Sequence, residues 1–240
     1  MRQTAYRRPS FAFHDVGPVT KALCAAILGI SLVASVTERS LGVGISQLEY
    51  SIPGLLNWEL WRLFTYPFVE RSPFGLILGL VVLWLFGSFF ERTWGSRDFL
   101  RFFAVSCVGA GLIAIPLGFA INLVGLFRDV GVAHGPEPAI DAMLIAMALM
   151  APNSNILFGF VLPIKAKNLI YILLGFELVV GIMTGAATLS TTLGGMAMGY
   201  LLVTGHWRPS RLVAKIRLWR LGKRRQGLYV VPPNNDKTLH

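Results

Sequence analysis

The chain has 240 residues, of which 54% are hydrophobic and only 14% charged, whereas soluble domains carry about 25% charged residues. Six stretches are long and apolar enough to suggest membrane helices, and at roughly 20 residues per crossing they leave no room for a separate soluble catalytic domain. The 22 Lys and Arg against 12 Asp and Glu give a net charge of +10, which in a membrane protein bears first on topology and lipid headgroups and only second on nucleic acid.

A basic leader, residues 1–21 with Arg2, Arg7, Arg8 and Lys21, precedes the first apolar run at 22–36. Arg7-Arg8 hints at a twin-arginine signal, but no convincing A-x-A site follows, so the run is read as a retained span. Cys24 here and Cys107 further on lie inside apolar runs and read as small core hydrophobes, which leaves the redox compartment open. Residues 37–71 form a loop holding WELWRLFTYPF, whose Trp and Tyr suit the membrane interface. The second span is predicted at 72–90 and the third at 102–127, separated by a charged turn, ERTWGSRDFLR. The fourth apolar piece, 138–151, has only 14 residues, too few to cross a hydrocarbon core of about 30 Å. Such a segment must sit inside the protein, with one end opening into a polar pocket. A loop at 152–167, a fifth span at 168–187, a sixth at 191–204 and a basic tail complete the chain.

These elements predict an all-α, polytopic membrane bundle of six spans, divided into a leader (1–21), a membrane domain (22–205) and a tail (206–240). Placing both ends on one side collects 18 cations there, in the leader, the second-to-third turn, the fourth-to-fifth loop and the tail. Arg39, Arg62, Arg71 and Arg128 fall on the other side. The positive-inside rule therefore puts both termini in the cytoplasm.

Five segments, in order, resemble the rhomboids, the intramembrane serine proteases. WELWRLFTYPF resembles the first-loop Trp-Arg motif, here Trp61 and Arg62, and LWLFGSFFERTWGSRDFL resembles the end of the second span and its turn, with Trp94 and Gly95. HGPEPAIDAMLIAMALMAPN resembles the fourth span, which in that family opens with G-x-S-G-A-I, and its first matching glycine is Gly135. LPIKAKNLIYI resembles the entry to the fifth span, and TTLGGMAMGYLL the sixth, where the family reads A-H-x-G-G-x-x-x-G and this chain has Gly194, Gly195 and Gly199. The resemblance implies a rhomboid-like bundle whose short fourth span places a nucleophile in a water-filled cavity.

The likeness stops at the chemistry. The family's serine position is Glu137 and its histidine position Thr192, while Gly75 and Gly79 stand where H-x-x-x-N supplies oxyanion donors. Four replacements on three spans remove nucleophile, base and oxyanion donors together. A rebuilt site would need Ser190, Thr191 or Thr192 with His134 or a carboxylate, because His14, His206 and His240 lie in cytoplasmic segments. His134 precedes Gly135 at the extracytoplasmic mouth, placed to pair with Glu137 or Asp141, and a metal site of the three is conceivable. Pro136 and Pro138 argue against helical ligand spacing there; the plain alternative is a solvated loop histidine, and no metal or cofactor is expected.

Asp141 and Glu177 fall inside predicted spans, where a carboxylate points to function unless it is paired or serves packing alone. Glu137 and Asp141, four residues apart, could face one cavity that conducts protons or holds a cationic group of a client helix. Gly75/Gly79 and Gly195/Gly199 have the G-x-x-x-G spacing of close helix approach; for the first pair, a groove for a client helix is the alternative to packing within the bundle. Residues 207–225 carry eight cations and no acid and read as an amphipathic helix on the anionic inner leaflet, with nucleic-acid binding set aside because charge alone supports it.

The expected protein is thus a rhomboid pseudoprotease of the bacterial cytoplasmic membrane that binds or routes transmembrane segments of client proteins. The alternatives are a serine-type endopeptidase with a displaced site and a proton or small-solute conductor.

Overall fold

In a computed structural model, helix α1 (Pro18–Leu41) begins at Pro18, whose fixed φ suits a first helical position, and ends at Gly42 with φ +64°. The structure describes residues 16–42, 45–123, 125, 131–158 and 162–205. The expectations for residues 1–15 and for the tail from 206 onward, His14, His206, His240 and the 207–225 helix included, lie outside them. Two compact units divide the chain, Met1–Val203 and Thr204–His240, and nearly all described residues belong to the first.

After α1 the chain makes two short helices, α2 (Ile52–Leu56) and α3 (Arg62–Thr65). This connection is held by two tyrosines. The buried hydroxyls of Tyr50 and Tyr66 donate to Gly111 O and Cys107 O, each at 2.8 Å, and the rings meet edge to face at 5.6 Å.

Helix α4 (Pro73–Val82) starts with the Ser72 hydroxyl accepting from Gly75 N at 3.2 Å. It passes through one π-helical stretch, Leu83–Gly87, into α5 (Ser88–Trp94), so that a single helical rod runs from Pro73 to Trp94. Gly95, at φ +87°, ends it, and α6 (Ser96–Leu123) follows at once. The expected eleven-residue charged turn therefore shrinks to one glycine. The reason is Glu91, which is not solvated. Its carboxylate accepts from Val19 N (3.0 Å), Thr20 N (2.8 Å), the Thr20 hydroxyl (2.7 Å) and the Ser96 hydroxyl (2.6 Å), and so caps α1.

Helix α7 (Glu137–Met150) has 14 residues, matching the short segment expected from the sequence. The loop after it contains an antiparallel hairpin, β1 (Asn155–Phe158) with β2 (Leu162–Lys165), in register Asn155 opposite Lys165. Helices α8 (Ala166–Thr184) and α9 (Ala186–Thr204) close the described fold, joined by Gly185 at φ +118°. Five helical rods, 18–40, 73–94, 96–123, 166–184 and 186–204, are long and apolar enough to cross a bilayer. The protein is an all-α polytopic membrane protein carrying one small hairpin. The span boundaries shift by up to six residues from those expected, because caps and tertiary contacts decide helix ends.

Between helices already surrounded by lipid, close packing supplies the attraction that water supplies elsewhere. A Cβ on Gly194 would stand 2.6 Å from Ala110 O of α6, and one on Gly199 2.5 Å from Ala142 O of α7; one on Gly195 would collide with the Pro138 carbonyl. Helix α9 thus lies backbone to backbone against both neighbours.

Candidate functional site

The site is built around the start of α7. Gly135 turns the chain at φ +92° and donates its amide to Tyr66 O at 2.9 Å; Pro136 stands at the N-cap and Pro138 in the first turn. A first turn needs no amide from either residue, so both prolines are tolerated. This corrects the expectation that they prevent helical spacing: Glu137 opens the helix and Asp141 lies one turn further on.

A residue that sequence reasoning missed, Glu70, completes the mouth. Its carboxylate lies 3.4 Å from His134 Nδ1 and accepts from Ser72 N at 2.9 Å. A Cβ on Gly135 would strike the carboxyls of both Glu70 and Glu137, so this glycine is what lets the two approach. Gly75 does the same on the α4 side, where a Cβ would sit 3.1 Å from Glu70 Oε1, and a Cβ on Gly79 would touch Pro136 at 3.5 Å. The two positions matching the family's oxyanion donors thus face the acidic mouth and the first turn of α7. Burial pushes the Glu70 carboxyl up. The His134 hydrogen bond and charge, the Ser72 amide and a hydrogen bond with Glu137 outweigh it and hold the group below the ordinary carboxylate range.

Deeper in, Asp141 is 3% exposed and Glu177, from α8, 5%. Glu137, Asp141 and Glu177 are close enough to feel one another's charge, and Glu177 lies within hydrogen-bond reach of Thr192 on α9. Two oxygens, Glu137 Oε2 and Asp141 Oδ2, are sealed from solvent and have no hydrogen-bond partner. Glu70 thus stands at the mouth, Glu137 and Asp141 on the first turns of α7, and Glu177 on α8. Among the described residues no three His, Cys, Asp or Glu side chains are grouped as metal ligands. The conceivable triad of His134, Glu137 and Asp141 is not assembled, because His134 turns to Glu70 instead.

The hydroxyls that could have rebuilt a nucleophile are occupied locally. Ser190 donates to Ala187 O (2.9 Å), Thr191 to Ala187 O and Thr188 O (3.0 and 2.9 Å), and Thr192 to Thr188 O and Leu189 O (3.1 and 3.2 Å). Such back-bonding to the residue's own helix is the usual resting state of Ser and Thr in apolar spans. Among the described residues no hydroxyl is hydrogen-bonded to His134.

The other motif residues serve the frame. Arg62 reaches Glu59, Ser46 O and, at 2.8 Å, Glu49 O, while Trp61 donates to Gln47 O at 3.2 Å. Arg71 pairs with the buried Glu49, a second residue the sequence did not single out. Trp94 packs between Phe90 and Phe102, ring centres 4.5 and 5.0 Å away, beside the Gly95 break.

This polytopic helical bundle, with a 14-residue inner helix glycine-packed against its neighbour, is that of a rhomboid-like membrane protein, on the likeness to known proteins that follows. Residues 21–204 match the family described as "Eukaryotic integral membrane protein (DUF1751)", and the chain belongs to that family. It is also 32% identical over 186 residues to Rhomboid-like protein 19 of Arabidopsis thaliana, across 75% of this chain and 59% of that protein. The chain thus spans less than two thirds of the relative's length. A family of eukaryotic membrane proteins, with a plant relative, corrects the expectation of a bacterial membrane.

Proposed function

We propose that the protein is a catalytically inactive rhomboid-like protein that binds or routes transmembrane segments of client proteins, with both ends of its chain in the cytoplasm. One observation carries the reading. At the two positions matching the family's catalytic pair stand Glu137 and Thr192, and the neighbouring hydroxyls are bonded to their own helix, with no histidine beside them among the described residues. A serine or threonine without a base in hydrogen-bond reach stays protonated and attacks amides poorly. What remains is an irregular bundle with one helix too short to span, a shape suited to local bilayer thinning and to recognition of weakly apolar helices. The basic segment 207–225 is assigned to the anionic inner leaflet on its charge.

The test is cleavage and capture of a panel of type I transmembrane proteins in liposomes. The protein is expected to retain a subset of them uncleaved. A second sample carries Glu137→Ser, Thr192→His, Gly75→His and Gly79→Asn, with Glu70→Ala added because a side chain at position 75 would crowd Glu70. Cleavage by the unaltered protein, labelled by a serine-directed probe, would overturn the reading in favour of a displaced hydrolase. Cleavage by the altered protein alone would show an intact scaffold without its chemistry.

A further inference from the structure

Two carboxyls converge on Gly135. A Cβ there would lie 2.0 Å from Glu137 Oε2 and 2.5 Å from Glu70 Oε2, so both oxygens crowd one point. The two groups are within hydrogen-bond reach of one another. Glu70 is fixed on its own side. Its carboxylate takes the Ser72 amide at 2.9 Å and faces His134 Nδ1 at 3.4 Å, and its backbone amide donates to the Ser31 hydroxyl of α1 at 3.0 Å. Glu137 Oε2 is sealed from solvent and has no donor. The other titratable groups facing Glu137 are Tyr66 of the loop before α4, Cys107 of α6, Asp141 one turn along α7 and Glu177 of α8, and none of them is a cation. Among the described residues His134, its side chain 28% exposed, is the one basic group at the pair.

An ionised carboxyl only accepts hydrogen bonds, so two carboxyls can bond to each other only through a proton. Two such groups in contact cannot both ionise cheaply, and sharing one proton relieves them. We propose that Glu70 and Glu137 share a single proton, carried on Glu137 Oε2 and donated to the Glu70 carboxylate, and that this bond latches the start of α7 to the segment before α4. The proton turns the orphaned oxygen into a donor and leaves Glu70 ionised for His134 and the Ser72 amide. When base takes the proton away, two carboxylates stand against each other with His134 alone to offset them. Their repulsion acts at the first residue of α7, beside a turn held by the Gly135 amide on Tyr66 O at 2.9 Å. The mouth is therefore closed with the proton in place and loosened as pH rises. The inference goes beyond the client-binding reading and stands without it.

The test uses the full chain in lipid nanodiscs. Hydrogen–deuterium exchange of the 133–140 stretch, corrected for the base catalysis of exchange itself, is followed as pH rises from about 4.3 to about 9. Protection in the unaltered protein is expected to fall at least about tenfold, the change in an equilibrium that one unit of pKa carries. In Glu137→Gln the side-chain amide donates to Glu70 at every pH, so protection should stay level. His134→Gln should move the midpoint of the fall without abolishing it. Infrared spectra give a second readout: one C=O stretch of a protonated carboxyl, present at neutral pH, should be missing from Glu137→Gln. Level protection in the unaltered protein, an equal fall in Glu137→Gln, or loss of the fall in His134→Gln would each overturn the shared proton. An infrared spectrum unchanged by Glu137→Gln would do the same.

Discussion

Glu91 and Asp141 are equally hidden, at 4% and 3% exposure, and both lie within helices of the bundle, yet their surroundings are opposite. Glu91 accepts four hydrogen bonds from the start of α1 and from Ser96, so its charge is spent on joining two helices. Asp141 has a sealed oxygen with no donor and further carboxyls nearby. The lesson is that burial alone does not separate architecture from function in a membrane bundle. A satisfied buried charge is a fastener, and an unsatisfied one holds no two elements together.

Substitutions sharpen or break this contrast. The largest loss is expected from Glu91→Ala, which strands two amides and two hydroxyls; about 3 kcal/mol of stability should disappear, seen as a fall in melting temperature in detergent. Next comes Arg62→Lys, which keeps the charge but cannot reproduce the forked contacts to Glu59, Ser46 O and Glu49 O. A loss of about 1–2 kcal/mol is expected, and an unchanged melting curve would mean that this loop is not held by its arginine. Glu70 supplies a smaller, pH-dependent effect. Because its folded carboxyl is held below the ordinary value of about 4.3, its contribution is complete above that value and is lost as pH falls through the lower folded value. Glu70→Gln should therefore flatten the acid limb of a stability profile. An unaltered limb would show that His134 and Ser72 do not favour the ionised form. The smallest effect is expected from Asp141→Asn, within about 0.5 kcal/mol of the parent, since no interaction is lost. A large loss there would make Asp141 a fastener after all and dissolve the comparison.

Hydropathy made the membrane rods legible, and the length of the 138–151 stretch alone revealed a helix that cannot span, because both signals are local and additive. The order of the motifs carried the family. Partnerships across distance were not legible. ERTWGSRD reads as a solvated turn until Thr20, 71 residues away in sequence, turns out to need Glu91. Glu70 stands between an aromatic loop and a Ser-Pro helix start, and only the fold brings it to His134, 64 residues on. Its one sequence signal was an acid directly after an apolar run, at the edge of a span. The π-helical stretch at Leu83–Gly87 and the 155–165 hairpin had no periodicity strong enough to announce them. Pro136 misled by its type; position relative to the helix start decides whether a proline breaks or begins a helix.

The glycine contacts of α9 also have a mechanical meaning. Main chain pressed on main chain has no rotamers to exchange and almost no compressibility, so α6, α9 and α7 behave as one stiff wedge. Helix α8 packs on that wedge as well, a Cβ on its Gly181 standing 2.6 Å from the Leu189 side chain of α9. The seam is therefore set by backbone shape, and one added methyl on any of the three α9 glycines would act as a shim that forces two helices apart.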